Sequence, residues 1–183
     1  MQQIKGAILK SRLSYIEETF GKDGLRKVVE TLSPDDQRTL RLVFTSNWYP
    51  FALGKRLDDA IVEHLGGGKT EIFERLGEAS AVKNLSSMHA GYLTPGDAHA
   101  FLAKAPQIYA MYYEVGRRDY EKTGERSARL TTWDAETFSA NDCLTVIGWY
   151  RKALEMCEVP GARIRESECR ARGGAACRYE VEW

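Results

Sequence analysis

A chain of 183 residues, 43% apolar and 28% charged, has an ordinary globular composition and can bury roughly 70% of its unfolded surface, which fits a single domain over residues 1–183. Lys plus Arg equals Asp plus Glu, 26 against 26, so there is no overall pull toward nucleic acid or anionic lipid. No apolar run approaches the ~20 residues that span a bilayer, and Met1 to Lys10 holds no signal-peptide core; the expectation is a cytoplasmic protein whose four cysteines are thiols or metal ligands.

The first part, residues 1–116, reads as mainly helical. Leu9, Leu13, Ile16 and Phe20 recur at helical spacing, Gly21 is a stop, and a second helix follows from Lys22. Ser33-Pro34-Asp35-Asp36 is a helix start, with a hydroxyl cap, proline in the first turn and acids at the positive end of the dipole. Pro50 opens another helix that ends at Gly66-Gly67-Gly68, and Lys69 to Ser87 is helical again. Gly66 to Thr70 lacks the first glycine of a phosphate-binding loop, because Glu63 stands there, and a helix precedes it where a strand is needed. Thr94-Pro95-Gly96-Asp97 starts a further helix, which Pro106 splits.

The pattern changes over residues 117–183. Gly124 marks a turn, Ala128 to Trp133 a strand, and Ala140 to Glu158 an amphipathic helix. Ala162 to Arg170 and Ala175 to Trp183 are β-like runs around Gly173-Gly174, a hairpin signal. Helices first, then strand, helix and hairpin, predict an α+β fold in which the helical two thirds pack on a small antiparallel sheet. The hairpin arginines Arg163, Arg165, Arg170, Arg172 and Arg178 read as solvent-face residues, since no aromatics interleave for base stacking.

Cys143, Glu166, Cys169 and Cys177 form the one constellation with metal-ligand chemistry. Cross-strand pairing brings Cys169 and Cys177 opposite each other, within reach of one ion at Zn–S distances of ~2.3 Å. Cys143 opens the helix, where the dipole favours a thiolate. Glu166 lies three residues before Cys169, so strict alternation faces it away and a bulge near Ser167 is needed. Cys157 is ~21 Å along the helix from Cys143 and reads as a core thiol. Spacing alone leaves two ordinary buried cysteines or a cross-strand disulfide equally open.

The residues from Ser139 to Trp183 resemble the 4-vinyl reductase-like domain, through a cysteine at a helix start, Gly148-Trp149 within the helix, and the terminal Glu-x2-Cys-x7-Cys hairpin. In phenol-sensing bacterial regulators that domain holds zinc on three cysteines and a glutamate at this spacing. The resemblance therefore implies a structural zinc ion (Zn2+) on Cys143, Glu166, Cys169 and Cys177. This fold is similar to small subunits of the TRAPP vesicle-tethering complex and to the haem-nitric-oxide sensor domain, which are α+β domains that dimerise and enclose an apolar cavity. The opening from Ile4 to Leu25 looks like the start of the haem-sensor group, and the whole chain, with Ser46 to Phe51, looks like a group of myxobacterial single-domain proteins. The fused ATPase and DNA-binding domains of the phenol sensors do not occur in this sequence, nor does the Tyr-x-Ser-x-Arg motif that binds haem propionates. His64, His89 and His99 read as surface or satisfied core histidines.

The resemblance implies a non-catalytic sensor or binding domain for a small hydrophobic or aromatic ligand, working as a homodimer in signalling. Tyr112, Trp133 and Trp149 are the expected apolar-pocket residues, and no acid–base pair suggests an enzyme. A dimeric interaction module like the TRAPP subunits, with no ligand, is the alternative.

Overall fold

Two clusters of buried apolar side chains organise the chain, one under the N-terminal helices and one beneath a C-terminal sheet. The computed structural model describes residues 2–87, 89–135 and 139–183. The N-terminal cluster is built by α1 (Gly6–Val29), α2 (Pro34–Arg41), α3 (Phe51–His64) and the start of α4 (Ile72–Leu85). Leu9 and Ile16 of α1 meet Leu57 and Ile61 of α3 and Phe73 and Leu76 of α4, all fully buried. The expected break is present: Gly21 leaves the helical region with φ 71°. Ser33 caps α2 by accepting the Asp36 amide at 3.2 Å. Two three-residue strands, β1 (Gln3–Lys5) and β2 (Trp48–Pro50), pair antiparallel beside these helices.

The second cluster lies between α7 (Ala140–Met156) and a four-stranded antiparallel sheet. Its strands are β3 (Arg117–Gly124), β4 (Ser127–Trp133), β5 (Arg163–Glu168) and β6 (Cys177–Glu182), in the order β3-β4-β6-β5. Pro106 splits the expected helix into α5 (Ala98–Leu102) and α6 (Ala105–Tyr112). The α+β class is as expected; β1, β2 and β3 are additions to the sequence reading. No helix among the described residues is long and apolar enough to cross a membrane.

Helix α4 crosses α7 at backbone contact, and two glycines allow it. A Cβ on Gly148 would stand 1.9 Å from the Glu74 carbonyl oxygen, and one on Gly77 would stand 2.2 Å from that of Thr145. Arg151 fastens the crossing by donating to Glu74 at 2.9 Å and Glu78 at 2.7 Å. The Gly148-Trp149 pair thus has a packing reason. Gly148→Ala is expected to cost about 2–3 kcal/mol, as overpacking against backbone does, seen as a lower urea midpoint. An unchanged midpoint would contradict this crossing.

Candidate metal centre and adjoining cavity

Ser139 places the first cysteine. Its hydroxyl accepts the Asp142 amide at 3.1 Å and starts α7, so that Cys143, in the first turn, faces the sheet and is buried. Cys177 begins β6, and Cys169 follows β5 at the head of a 3-10 turn over Arg170–Arg172 that closes with Gly173 at φ 89°. The hairpin loop is longer than a tight turn, yet it returns the chain so that the Arg170 amide points at the Cys177 sulfur, 3.5 Å away. Cys143 Sγ stands 3.6 Å from Cys177 Sγ and 3.8 Å from Cys169 Sγ. A tetrahedral ion with bonds of ~2.3 Å to sulfur has S···S edges of about 3.8 Å, so these spacings match one ion.

Glu166 arrives through the expected irregularity. It pairs with Tyr179 while Glu168 pairs with Arg178, a register shift that takes up Ser167. One ligand atom from each of Cys143, Glu166, Cys169 and Cys177 lies within 4.8 Å of the others. The Glu166 side chain is only 5% exposed. One of its oxygens accepts from Arg172 at 2.5 Å, and the other, Oε1, is buried with no hydrogen-bond partner among the described residues. An orphaned buried carboxylate oxygen beside three sulfurs is the donor set a cation completes. Without one, the Cys143–Cys177 hydrogen bond, with burial, pushes the Cys143 thiol up, and the same bond pulls Cys177 down to about 7. Cys157 is fully buried in the apolar core and outside this cluster; burial raises its thiol.

Next to the cysteines lies a small chamber of about 70 Å³, lined in part by Tyr112, Tyr113, Val146, Trp149 and Tyr150. It shares Ala7, Ser11, Asn84 and Tyr112 with an open groove of about 560 Å³ that runs past Trp48 and Met111. A pocket of about 20 Å³ on the other side links Tyr109, Tyr113 and Arg118 to Cys143 and Cys177. Tyr112 and Trp149 line this chamber. Trp133 is not in its lining: Ala128, Leu130 and Thr132 alternate toward one face of β4, so Trp133 turns to the other, and Arg117 sits 5.9 Å from its ring centre.

Two buried charge systems border the chamber, and the sequence reading missed both. Arg12 forks onto Asp58 at 2.5 and 3.1 Å and reaches Asp142 at 3.3 Å, while the Tyr113 hydroxyl donates to Asp142 at 2.6 Å. Burial pushes the Asp58 carboxyl up against the opposing pull of Arg12. Arg12 stands with Leu9, Leu13 and Ile16 on the apolar stripe of α1, and Asp58 beside Leu57 and Ile61 on that of α3. A charge on each of two buried stripes was the available signal. The second system is Arg118 on β3, 6% exposed, whose Nε donates to Thr132 Oγ1 at 2.9 Å.

Of the histidines, His99 engages both ring nitrogens, with the Tyr120 hydroxyl at 2.7 Å and the Glu125 carbonyl at 2.9 Å. His64 ends α3 beside Glu63, and His89 lines the groove, edge-on to Tyr92 and Tyr112. The hairpin arginines Arg163, Arg172 and Arg178 pair with Glu182, Glu166 and Glu168.

Comparison with known proteins places this architecture. An unliganded Fe(II) H-NOX protein from K. algicida superimposes with a TM-score of 0.75 at 15% identity, over 97% of this chain and 95% of that one. An H-NOX protein from S. oneidensis in the Fe(II)NO state gives 0.73 at 13% identity, over 97% and 98%. A mutant T. tengcongensis H-NOX gives 0.71 at 13%, over 97% and 96%. At such identities the likeness establishes the fold. No curated protein matches the sequence. Residues 23–183 match the family described as protein of unknown function, DUF2378, and the chain belongs to that family.

Proposed function

We propose that this is a non-enzymatic sensor or binding domain of 4-vinyl reductase-like type, acting in signalling or regulation. A structural zinc ion on Cys143, Glu166, Cys169 and Cys177 would pin the hairpin to α7, and the adjoining cavity would take a small hydrophobic or aromatic molecule. The observation that carries this reading is the double duty of α7: it presents Cys143 to the cysteine cluster and Val146, Trp149 and Tyr150 to the chamber. Four protein ligands leave no open position on a tetrahedral ion, which argues for a structural metal over a catalytic one. The chamber alone falls below the ~300–1,000 Å³ of ordinary ligand sites, so the ligand spans chamber and groove together.

H-NOX structures are described for their haem. The residues here do not suit that group. Among the described residues no histidine lines the chamber and His89 stands only in the groove, edge-on to Tyr92 and Tyr112; both ring nitrogens of His99 are engaged, and the sequence lacks the propionate motif. The donor set present is three sulfurs and a carboxylate.

The reading is tested by tryptophan emission, since Trp149 lies in the chamber and Trp48 in the groove. Titration with phenols and with medium-chain fatty acids is expected to give a saturable change, most of it lost in Trp149→Phe. A flat response to every apolar ligand would contradict it. A second reading, a homodimeric interaction module, is favoured by Leu42 and Phe44, 71% and 63% exposed on the segment before β2. A stable dimer with no ligand response would support that one instead.

A further inference from the structure

Among the described residues, Arg118 is a buried cation without a carboxylate partner. Its side chain lies under the sheet, and no carboxylate of the described residues stands within ion-pair distance of it. The contrast with Arg12 is direct, since Arg12 has two oxygens of Asp58 and one of Asp142. Asp142, the acid that shares the chamber with Arg118, is already held by Arg12 and Tyr113. What surrounds the Arg118 guanidinium is three rings, Tyr109, Tyr150 and Tyr179, with centres 5.1, 5.6 and 5.7 Å away. Ring faces compensate a desolvated cation by ~2 kcal/mol, well short of the several kcal/mol that burying an ion costs. Beside it, the buried Tyr150 hydroxyl makes no well-formed hydrogen bond among the described residues, and Arg118 is the group that acts on it. A fork of N–H donors and a buried hydroxyl thus border one chamber.

The groove adds an independent observation. Its described lining includes Lys5, Lys10, Lys83 and His89, and no Asp or Glu, in a chain whose charges balance overall. Lys5 lies over the Trp48 ring at 4.0 Å, and Lys83 meets Glu18 outside the lining at 3.4 Å. A basic approach leading to a buried arginine with no carboxylate partner among the described residues selects anions. The chamber, about 70 Å³, has the room of a head group, and the groove, about 560 Å³, that of an apolar tail or ring.

We propose that the ligand of this cavity is an apolar monocarboxylate whose head group sits on the Arg118 fork, with the Tyr150 hydroxyl as an added donor and the apolar body in the groove. A planar carboxylate accepts two parallel bonds from guanidinium, which a neutral alcohol cannot match. The inference rests on the reading of the cavity as a ligand site, and matched probes separate the two.

The experiment is calorimetric titration of the full chain with octanoate against octanol, and benzoate against benzyl alcohol. The carboxylates are expected to bind at least ten-fold more tightly. In Arg118→Met that preference should fall to near parity, because octanoate weakens far more than octanol. Tyr150→Phe, which keeps the ring and so guards against a misfolded Arg118 variant, should weaken octanoate a few-fold more than octanol. Alcohols that bind as tightly as acids would overturn the carboxylate assignment while leaving the ligand site standing. A preference that survives both variants and vanishes in Lys10→Gln would move the head group to the groove and overturn it as well. No saturable binding of any probe would sink the cavity reading and this inference together.

Discussion

Cys143→Ser is expected to release the metal and with it most of the stability of the C-terminal half. Zinc held by a closed thiolate set contributes ~10–16 kcal/mol of apparent binding free energy, against a total folding stability of ~5–15 kcal/mol, so losing the ion removes a share comparable to the whole margin. A serine hydroxyl stays protonated and is a poor ligand. The hairpin from β5 to β6 would then have to hold Glu166, with its buried unpartnered oxygen, among thiols without a cation. Thermal unfolding followed by circular dichroism should show a large drop in Tm for Cys143→Ser, reproduced in the wild type by a strong chelator. Cys157→Ser lies outside the cluster and should keep the metal, although it disturbs the core. A Cys143→Ser protein with near-wild-type Tm would refute the structural role.

The second large effect is expected at Asp58. Replacing it with alanine leaves the Arg12 guanidinium, 3% exposed, with the 3.3 Å contact to Asp142 and a 3.4 Å bond to the Ile8 carbonyl. Breaking a buried pair from one side typically costs ~3–5 kcal/mol, because the remaining charge is stranded in the core. Removing both charges is a different matter: Arg12→Met with Asp58→Leu is expected to recover much of the loss, since well-packed apolar pairs often replace buried ion pairs at no cost. Urea midpoints of the two single variants and the double variant form a cycle that checks this. If Asp58→Ala costs under ~1 kcal/mol, as an exposed pair would, the network does not join α1 to α3 as described.

Much of the fold was legible because its punctuation is chemical. Gly21, the Ser33 cap and Pro106 each impose a local geometry that tertiary packing did not override. Spacing alone leaves the cysteines open between a metal set, buried thiols and a disulfide; the resemblance of Ser139 to Trp183 singles out the four ligands, and the bulge that Glu166 needs follows from counting alternation from Cys169. Other parts left little trace. Strands β1 and β2 are three residues long, too short for a period-two pattern. Strand β3 lies at a sheet edge and carries Arg117, Arg118, Asp119, Glu121 and Lys122; edge strands keep such charges, and the pattern reads as a loop. Trp133 is named for the pocket through the resemblance, as an aromatic on the strand before the Cys143 helix; the alternation of β4 turns Thr132 inward and Trp133 to the other face. Arg118 could not be singled out, because only the fold shows that no acid of the described residues comes to meet it.

The zinc edge of the X-ray absorption spectrum, recorded with elemental analysis on the purified full chain, tests the central claim most directly. The account predicts one zinc per chain, with three sulfur neighbours at ~2.3 Å and one oxygen at ~2.0–2.2 Å. Folded protein without metal, or an ion bound by nitrogen ligands, would contradict it.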